Sequence, residues 1–295
     1  MMRSLFSAIS GLKNHQIKMD VIGNNIANVN TTGFKRSRVA FATTLSQTMK
    51  GASTPSQTQG GTNAIQIGLG AVIGSIDQIM TQGSAQSTGR ATDLMLQGPG
   101  FFVMNNGGQQ VFTRAGGFGQ DSDGTLVDPA TGAKVQGYSW GADDSTSPAW
   151  SGTGYGDIKF ALGDELPGDT ADQPHTLTGF SIDQSGVITG IYSNGLDSTT
   201  YKIAQIAVVK FANDAGLSNV GGNFYTSTNN SGFPDIGAAG QDGRASIIPN
   251  TIEMSNVDLS SEFTDMIVAQ RGFQANSRVI TVSDTLLEEL INLKR

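Results

Sequence analysis

The chain has 295 residues, enough for one large domain or two to three small ones; 15% of its side chains are charged, against about 25% in an ordinary soluble domain, and 39 are glycine. It has no cysteine, which excludes disulfides and thiolate metal sites. The formal charge of −7 is uneven: residues 1–50 carry seven basic groups against Asp20 alone, while residues 51–250 carry seventeen acidic groups against seven basic ones, and a basic front this short, without interleaved aromatics, argues against nucleic acid as a partner.

The first predicted element is an amphipathic helix over Leu5–Ile26. Leu5, Leu12, Met19 and Ile26 recur every seven residues, with Ile9 and Ile22 beside them. Ser4 is placed to cap its start. Gly11 inside it costs about 1 kcal/mol relative to alanine, so the helix is weak alone. Gly11, Lys13, Asn14, His15 and Gln16 interrupt the opening apolar run, so it is not a cleavable secretory signal, and no run in the chain approaches the length of a membrane span.

A short element is expected over Phe34–Leu45, with Val39, Phe41 and Leu45 buried. Gln47–Ala64 is polar and reads as a linker or extended arm. From Ile65 to Met80 the period changes to the alternation of a half-buried strand: Ile65, Ile67, Leu69, then Ala71, Ile73, Ser75. Leu94-Met95-Leu96 and Phe101-Phe102-Val103-Met104 form a second strand-like region split by Gly98-Pro99-Gly100. Asn105-Asn106-Gly107-Gly108 then signals a hairpin, with Val111-Phe112-Thr113-Arg114 returning.

Gly117–Val127 and Gly179–Thr189 share a pattern of Gly-Phe, then Asp, then Gly three residues later, then an apolar pair, which suits two hairpins with the same turn. Calcium at Asp121-x-Asp123-Gly124 is the sharper alternative, but the distal glutamate of a helix-loop-helix site is missing. Asp143–Pro174 is acidic and proline-rich, a loop-rich tip near 143–174. Tyr201–Phe211 is the strongest strand of the second half.

The last element is a helix of about 35 residues from about Leu259, capped by Asp258. A heptad seam is expected through Phe263, Met266, Gln270, Phe273, Ser277, Ile280, Asp284, Leu287 and Ile291, widened by Ile267 and further apolar positions. That stripe is too broad for a two-stranded coil and calls for additional neighbours.

Chemistry is sparse. His15 and His175 are the only histidines, and no HExxH, phosphate loop or Gly-x-Ser-x-Gly elbow occurs. The adjacent carboxylates Asp143-Asp144 and Asp164-Glu165 lie in polar, loop-like sequence where solvation is expected. No catalytic, cofactor or metal residue is therefore nominated. The fold expected is α+β: paired coiled-coil-like helices from the two termini and a mainly antiparallel β region between them.

Several long motifs carry a resemblance. Ser4–Leu12 (SLFSAISGL), Met19–Lys35 (MDVIGNNIANVNTTGFK), Gly98-Pro99-Gly100-Phe101-Phe102, Thr113-Arg114-Ala115-Gly116 and Val135-Gln136-Gly137-Tyr138 resemble the bacterial flagellar rod and hook proteins, as do Ser255–Ser260, Met266–Arg271 and Gln274–Ser277 near the C-terminus. Within that family the hook members are the most similar, on Phe211–Leu217 (FANDAGL) and the ending Leu290-Ile291-Asn292-Leu293.

The resemblance implies a non-enzymatic subunit of the flagellar hook, a self-assembling helical tube that passes motor torque to the filament as a universal joint. The distal rod is the alternative, and a secreted adhesin or enzyme the reading from another class. It further implies export by the flagellar type III apparatus and an extracellular place in the flagellum. The implied partners are copies of the chain itself and the rod, hook-cap and hook–filament junction proteins, with no membrane insertion. Residues 1–34 with 255–295 would form a helical inner domain, 35–70 a linker or extended arm, and 71–254 the β-rich outer domain. The assembly interface would comprise Leu5, Ile9, Leu12, Met19, Ile22 and Ile26 on the first helix and Phe263, Met266, Ile267, Phe273, Ile280, Leu287 and Ile291 on the last.

Overall fold

The computed structural model describes residues 2–55, 60–140, 155–164, 175–195 and 197–293. They form two units. Unit 1 comprises residues 1–29, 36–79 and 257–295, and unit 2 comprises residues 30–35 and 80–256.

Unit 1 holds both helices, α1 (Met2–Ala27) and α2 (Leu259–Asn292), with the strands β1 (Ser37–Thr43), β2 (Ser46–Lys50), β3 (Ile65–Gly68) and β4 (Ala71–Gln78). α1 begins at Met2, so Ser4 lies in its first turn and is not the cap. α2 starts where its sequence dictates: Asp258 has extended backbone and its carboxylate accepts from the Ser260 amide at 3.0 Å.

Residues 35–70, expected as a linker or extended arm, carry three strands. β1 pairs antiparallel with β4 from Ser37↔Gln78 to Thr43↔Ala71, so the chain divides at Ile79 rather than at 71. β2 and β3 continue as a second antiparallel ribbon, with a bridge at Ser53↔Thr62 beyond it. A two-stranded ribbon covers at most one of its faces. Val39 is therefore only half-buried, and Phe41 and Leu45, expected inside, are 43% and 83% exposed.

Unit 2 contains β5 (Ala85–Ser87), β6 (Leu94–Gln97), β7 (Phe101–Asn106), β8 (Gln109–Thr113), β9 (Gly119–Gln120), β10 (Leu126–Val127), β11 (Lys134–Ser139), β12 (Gly156–Asp157), β13 (Thr176–Ile182) and β14 (Val187–Ser193). It continues through β15 (Ser198–Lys210), β16 (Ser218–Gly221), β17 (Phe224–Thr226), β18 (Asp235–Ala238), β19 (Ser246–Pro249) and β20 (Thr251–Glu253). The main sheet runs β13-β14-β15-β11-β7-β8-β17-β16 with antiparallel neighbours, and β6–β19 and β5–β20 form separate pairs.

The continuous apolar runs of β7 and β15 have a simple cause: both of their faces are covered. Alternate residues point to opposite sides of a strand. Phe102, Met104, Ile206 and Val208 enter one core cluster, and Phe101, Val103, Ala207 and Val209 enter the other. The β7–β8 hairpin closes as its sequence requires. Asn106 pairs with Gln109, and the two residues between them, Gly107 and Gly108, both have positive φ.

The two Gly-Phe-Asp segments make the same turn. Gly124 donates to the Asp121 carbonyl at 2.9 Å, and Gly186 to the Asp183 carbonyl at 3.1 Å. The Asp183 carboxylate accepts from the amides of Ser185 and Val187, and that of Asp121 from the amide of Ser122. These carboxylates hold their own turns. Most of the expected tip, 141–154 and 165–174, lies outside the described residues, as do Asp143, Asp144 and Glu165. The described part is not a tip: Ile158 and Phe160 are buried in the larger core cluster, because the Ile158 amide and carbonyl are bonded to Val135 and Leu126.

Candidate assembly interface on the terminal helices

α1 and α2 run antiparallel. Asn25 Nδ2 donates to Glu262 Oε2 at 3.2 Å, Lys18 Nζ to Asp265 at 3.0 Å, His15 lies against Gly272, and Gly11 lies against Asn276. The numbers rise on one helix as they fall on the other. On α1 the seam runs Ala8, Gly11, His15, Lys18, Ile22, Asn25, with Ala8, Ile22 and Asn25 buried. On α2 it runs Glu262, Met266, Ala269, Phe273, Asn276, Ile280, Ser283, Leu287, with Glu262, Ala269 and Ser283 buried. Both lines step by alternating threes and fours, the heptad rule.

The seam is made largely of small and polar residues. A Cβ at Gly11 would come 2.6 Å from Asn276 Nδ2, and one at Gly272 would come 2.6 Å from the His15 imidazole. Gly11 therefore weakens α1 as an isolated helix and permits close approach of α2. The His15 ring also stands edge-on to Phe41 of β1 at 6.3 Å. Asn25 fixes the next turn of chain, donating to the Ser37 carbonyl and accepting from the Ser37 amide. The basic front and acidic back meet here: Lys18 faces Asp265, and Arg36 lies 3.7 Å from Glu262.

Of the thirteen residues expected to form the interface, the structure brings some to this seam and leaves others beside it. Ile22, Met266, Phe273, Ile280 and Leu287 lie on it. Leu5, Ile9, Leu12, Met19 and Ile26 are half-buried beside it, the row of four falling one helical position away. Phe263, Ile267 and Ile291 are at least 50% exposed. Sequence reasoning followed the bulky residues and missed Ala8, Gly11, Ala269, Asn276 and Ser283. The three-four spacing of small residues was the signal available.

The pairing leaves apolar surface uncovered within one chain. Phe263, Ile267 and Val268 are exposed on the first half of α2, and Val279, Val282, Leu286, Leu290 and Leu293 on the second. The β2–β3 ribbon adds Leu45, Ile65, Ile67 and Leu69. Neither helix is long and apolar enough to cross a membrane. Among the described residues no group of three or more His, Cys, Asp or Glu side chains gathers as a metal site would require.

Comparison with known proteins matches three parts of the chain to family models. Residues 5–35 match "Flagella basal body rod protein", residues 95–190 "Flagellar hook protein FlgE/F/G D1 domain", and residues 248–293 "Flagellar basal body rod FlgEFG protein C-terminal". The flagellar basal-body rod protein FlgG of Bacillus subtilis is 44% identical over 296 residues, covering 100% of both chains. The flagellar hook proteins FlgE of Treponema pallidum and Borreliella burgdorferi are each 33% identical, over 466 and 444 aligned residues, again with 100% of both chains covered. With its helical ends and central β region each matched in order, the chain belongs to the family of flagellar hook and basal-body rod proteins, structural components of the bacterial flagellum.

Proposed function

We propose that the chain is a subunit of the flagellar hook, a tube built from copies of itself that bends while it passes motor torque to the filament. The observation that carries this reading is the apolar surface left open on α2 after it has paired with α1. Covering a Leu, Val or Phe side chain that is about half exposed contributes roughly 1 kcal/mol, so the stripe offers on the order of 10 kcal/mol in all. Association itself costs about 4–15 kcal/mol in lost freedom. One neighbour is then marginal, and several at once, as in a tube, are sufficient. Copies of the chain suit this surface because Val279, Val282, Leu286 and Leu290 repeat on α2 with the three-four spacing that a further helix would match.

On this reading the helical ends form a coiled-coil-like inner layer, and the Gly-rich β unit faces outward. The β2–β3 ribbon is marginal as an isolated two-stranded sheet and gains its stability by lying on a neighbouring subunit. The chain carries no catalytic role. Its other partners are the rod, hook-cap and junction proteins, and it reaches its place through the flagellar export apparatus.

The distal rod is a second reading, favoured by length: the rod protein of B. subtilis aligns over 296 residues, whereas the hook proteins need alignments of 444 and 466. Electron microscopy of the polymer separates the two. Curved, bendable tubes support a hook subunit, and straight, stiff ones contradict it in favour of the rod.

A further inference from the structure

Three of the most deeply buried charges in unit 2 meet where the chain enters and leaves it. Lys35, Arg114 and Glu253 are 1%, 3% and 0% exposed. Lys35 Nζ donates to Glu253 Oε1, and Arg114 Nη1 donates to Glu253 Oε2 at 3.2 Å. The Gly83 amide also donates to Glu253 Oε1, at 2.8 Å. Arg114 is held in turn by the Gly98 carbonyl at 2.6 Å and lies 5.5 Å over the Phe101 ring.

Around this core the backbone is tied as well. Gly33 donates to the Glu253 carbonyl at 2.8 Å, and Met254 to the Ser84 carbonyl at 2.9 Å. Lys35 Nζ and Asn256 Nδ2 both donate to the Thr81 carbonyl, at 2.9 and 3.1 Å. Unit 2 is continuous with the rest of the chain through residues 30–35, the stretch beginning at Met80, and the stretch ending at Asn256. All three are therefore bonded to one another through one carboxylate and one carbonyl.

We infer that Lys35, Arg114 and Glu253 form an ionic clasp that makes these three connecting segments open only together, before the sheet yields. The reason is the cost of stranding a buried charge. An ion pair in an apolar interior is no better than a well-packed hydrophobic cluster, but removing one partner leaves the others unpaired. No segment can peel away without uncovering Glu253 or isolating both cations. Burial pulls Lys35 below the usual lysine range and Arg114 adds to this, while Glu253 opposes it. If the chain bears torque as proposed above, load reaching any connection is shared by all three.

The test is hydrogen exchange on the full chain in stepped low denaturant, reading the amides of Gly33, Gly83 and Met254. The clasp requires one common opening free energy and one denaturant slope for the three, below those of the β7 and β15 amides. Three separate opening energies overturn it, and so does exchange that occurs only with unfolding of the sheet. In Glu253→Gln the three amides should lose protection together, by tenfold or more, while the sheet amides keep theirs. Loss confined to Gly83 overturns it. If that variant fails to fold, the wild-type measurement decides alone. Polymer shape plays no part in this readout, so the clasp can fail while the hook reading stands, and the reverse.

Discussion

A methyl group at Gly116 would sit 1.7 Å from the Leu94 carbonyl oxygen, a backbone atom that cannot swing aside. Gly116→Ala should destabilise unit 2 by about 3 kcal/mol, read as a lowered urea midpoint with an unchanged slope. A midpoint within error of wild type would mean that the β6 edge gives way at this contact. Tyr225 makes a second residue-scale prediction. Burial pushes its phenol up to about 12, Glu253 adds to the shift, and Arg114 opposes it. The native state keeps this proton after the unfolded chain has lost it, so its contribution is intact below pH 10 and is lost as pH rises through about 12. Stability should therefore fall over that window by on the order of 2–3 kcal/mol on account of Tyr225. Tyr225→Phe should flatten that limb in denaturant titrations at pH 9 to 12; an unchanged slope would show that the phenol is not the source. Neither position was legible from sequence as critical, because both effects arise from atoms more than 20 residues away.

The elements divide by what their sequences must satisfy. β7 and β15 were legible because each strand meets an apolar layer on both faces, so their runs are uninterrupted. The β7–β8 turn and the Asp258 cap were legible because local chemistry decides them. The helix seam was only half legible. Met266, Phe273, Ile280 and Leu287 lie on it, but between them periodicity points to Phe263, Gln270 and Ser277, where the structure uses Glu262, Ala269 and Asn276. Periodicity finds a stripe, and the partner's profile decides which edge of it is buried. This distinction makes a prediction. Leu286 is exposed, so Leu286→Glu should leave the stability of the free chain within about 0.5 kcal/mol yet lower polymerisation sharply in sedimentation assays. Leu287 is half-buried, so Leu287→Glu should reduce both. Equal polymerisation by Leu286→Glu and wild type would sink the idea that this stripe is an assembly surface.

At the scale of the molecule, the chain builds one unit that is complete and one that is not. Unit 2 covers its sheet on both faces and needs no other chain for its core. Unit 1 pairs two helices largely through small and polar residues and leaves many of its larger apolar side chains exposed. The sequence conveyed this contrast through its two amphipathic ends and polar, Gly-rich middle. The division at Ile79 was not conveyed, because β1 and β4 find each other across 27 intervening residues that read as an arm. The central claim is that unit 1 is completed by neighbouring copies. It is tested most directly by cryo-electron microscopy of tubes assembled from the purified full-length chain. The expected map buries Phe263, Ile267, Val282, Leu286 and Leu290 against helices of adjacent subunits. A tube in which those side chains stay open to solvent, with the subunits joined through unit 2 alone, would contradict it.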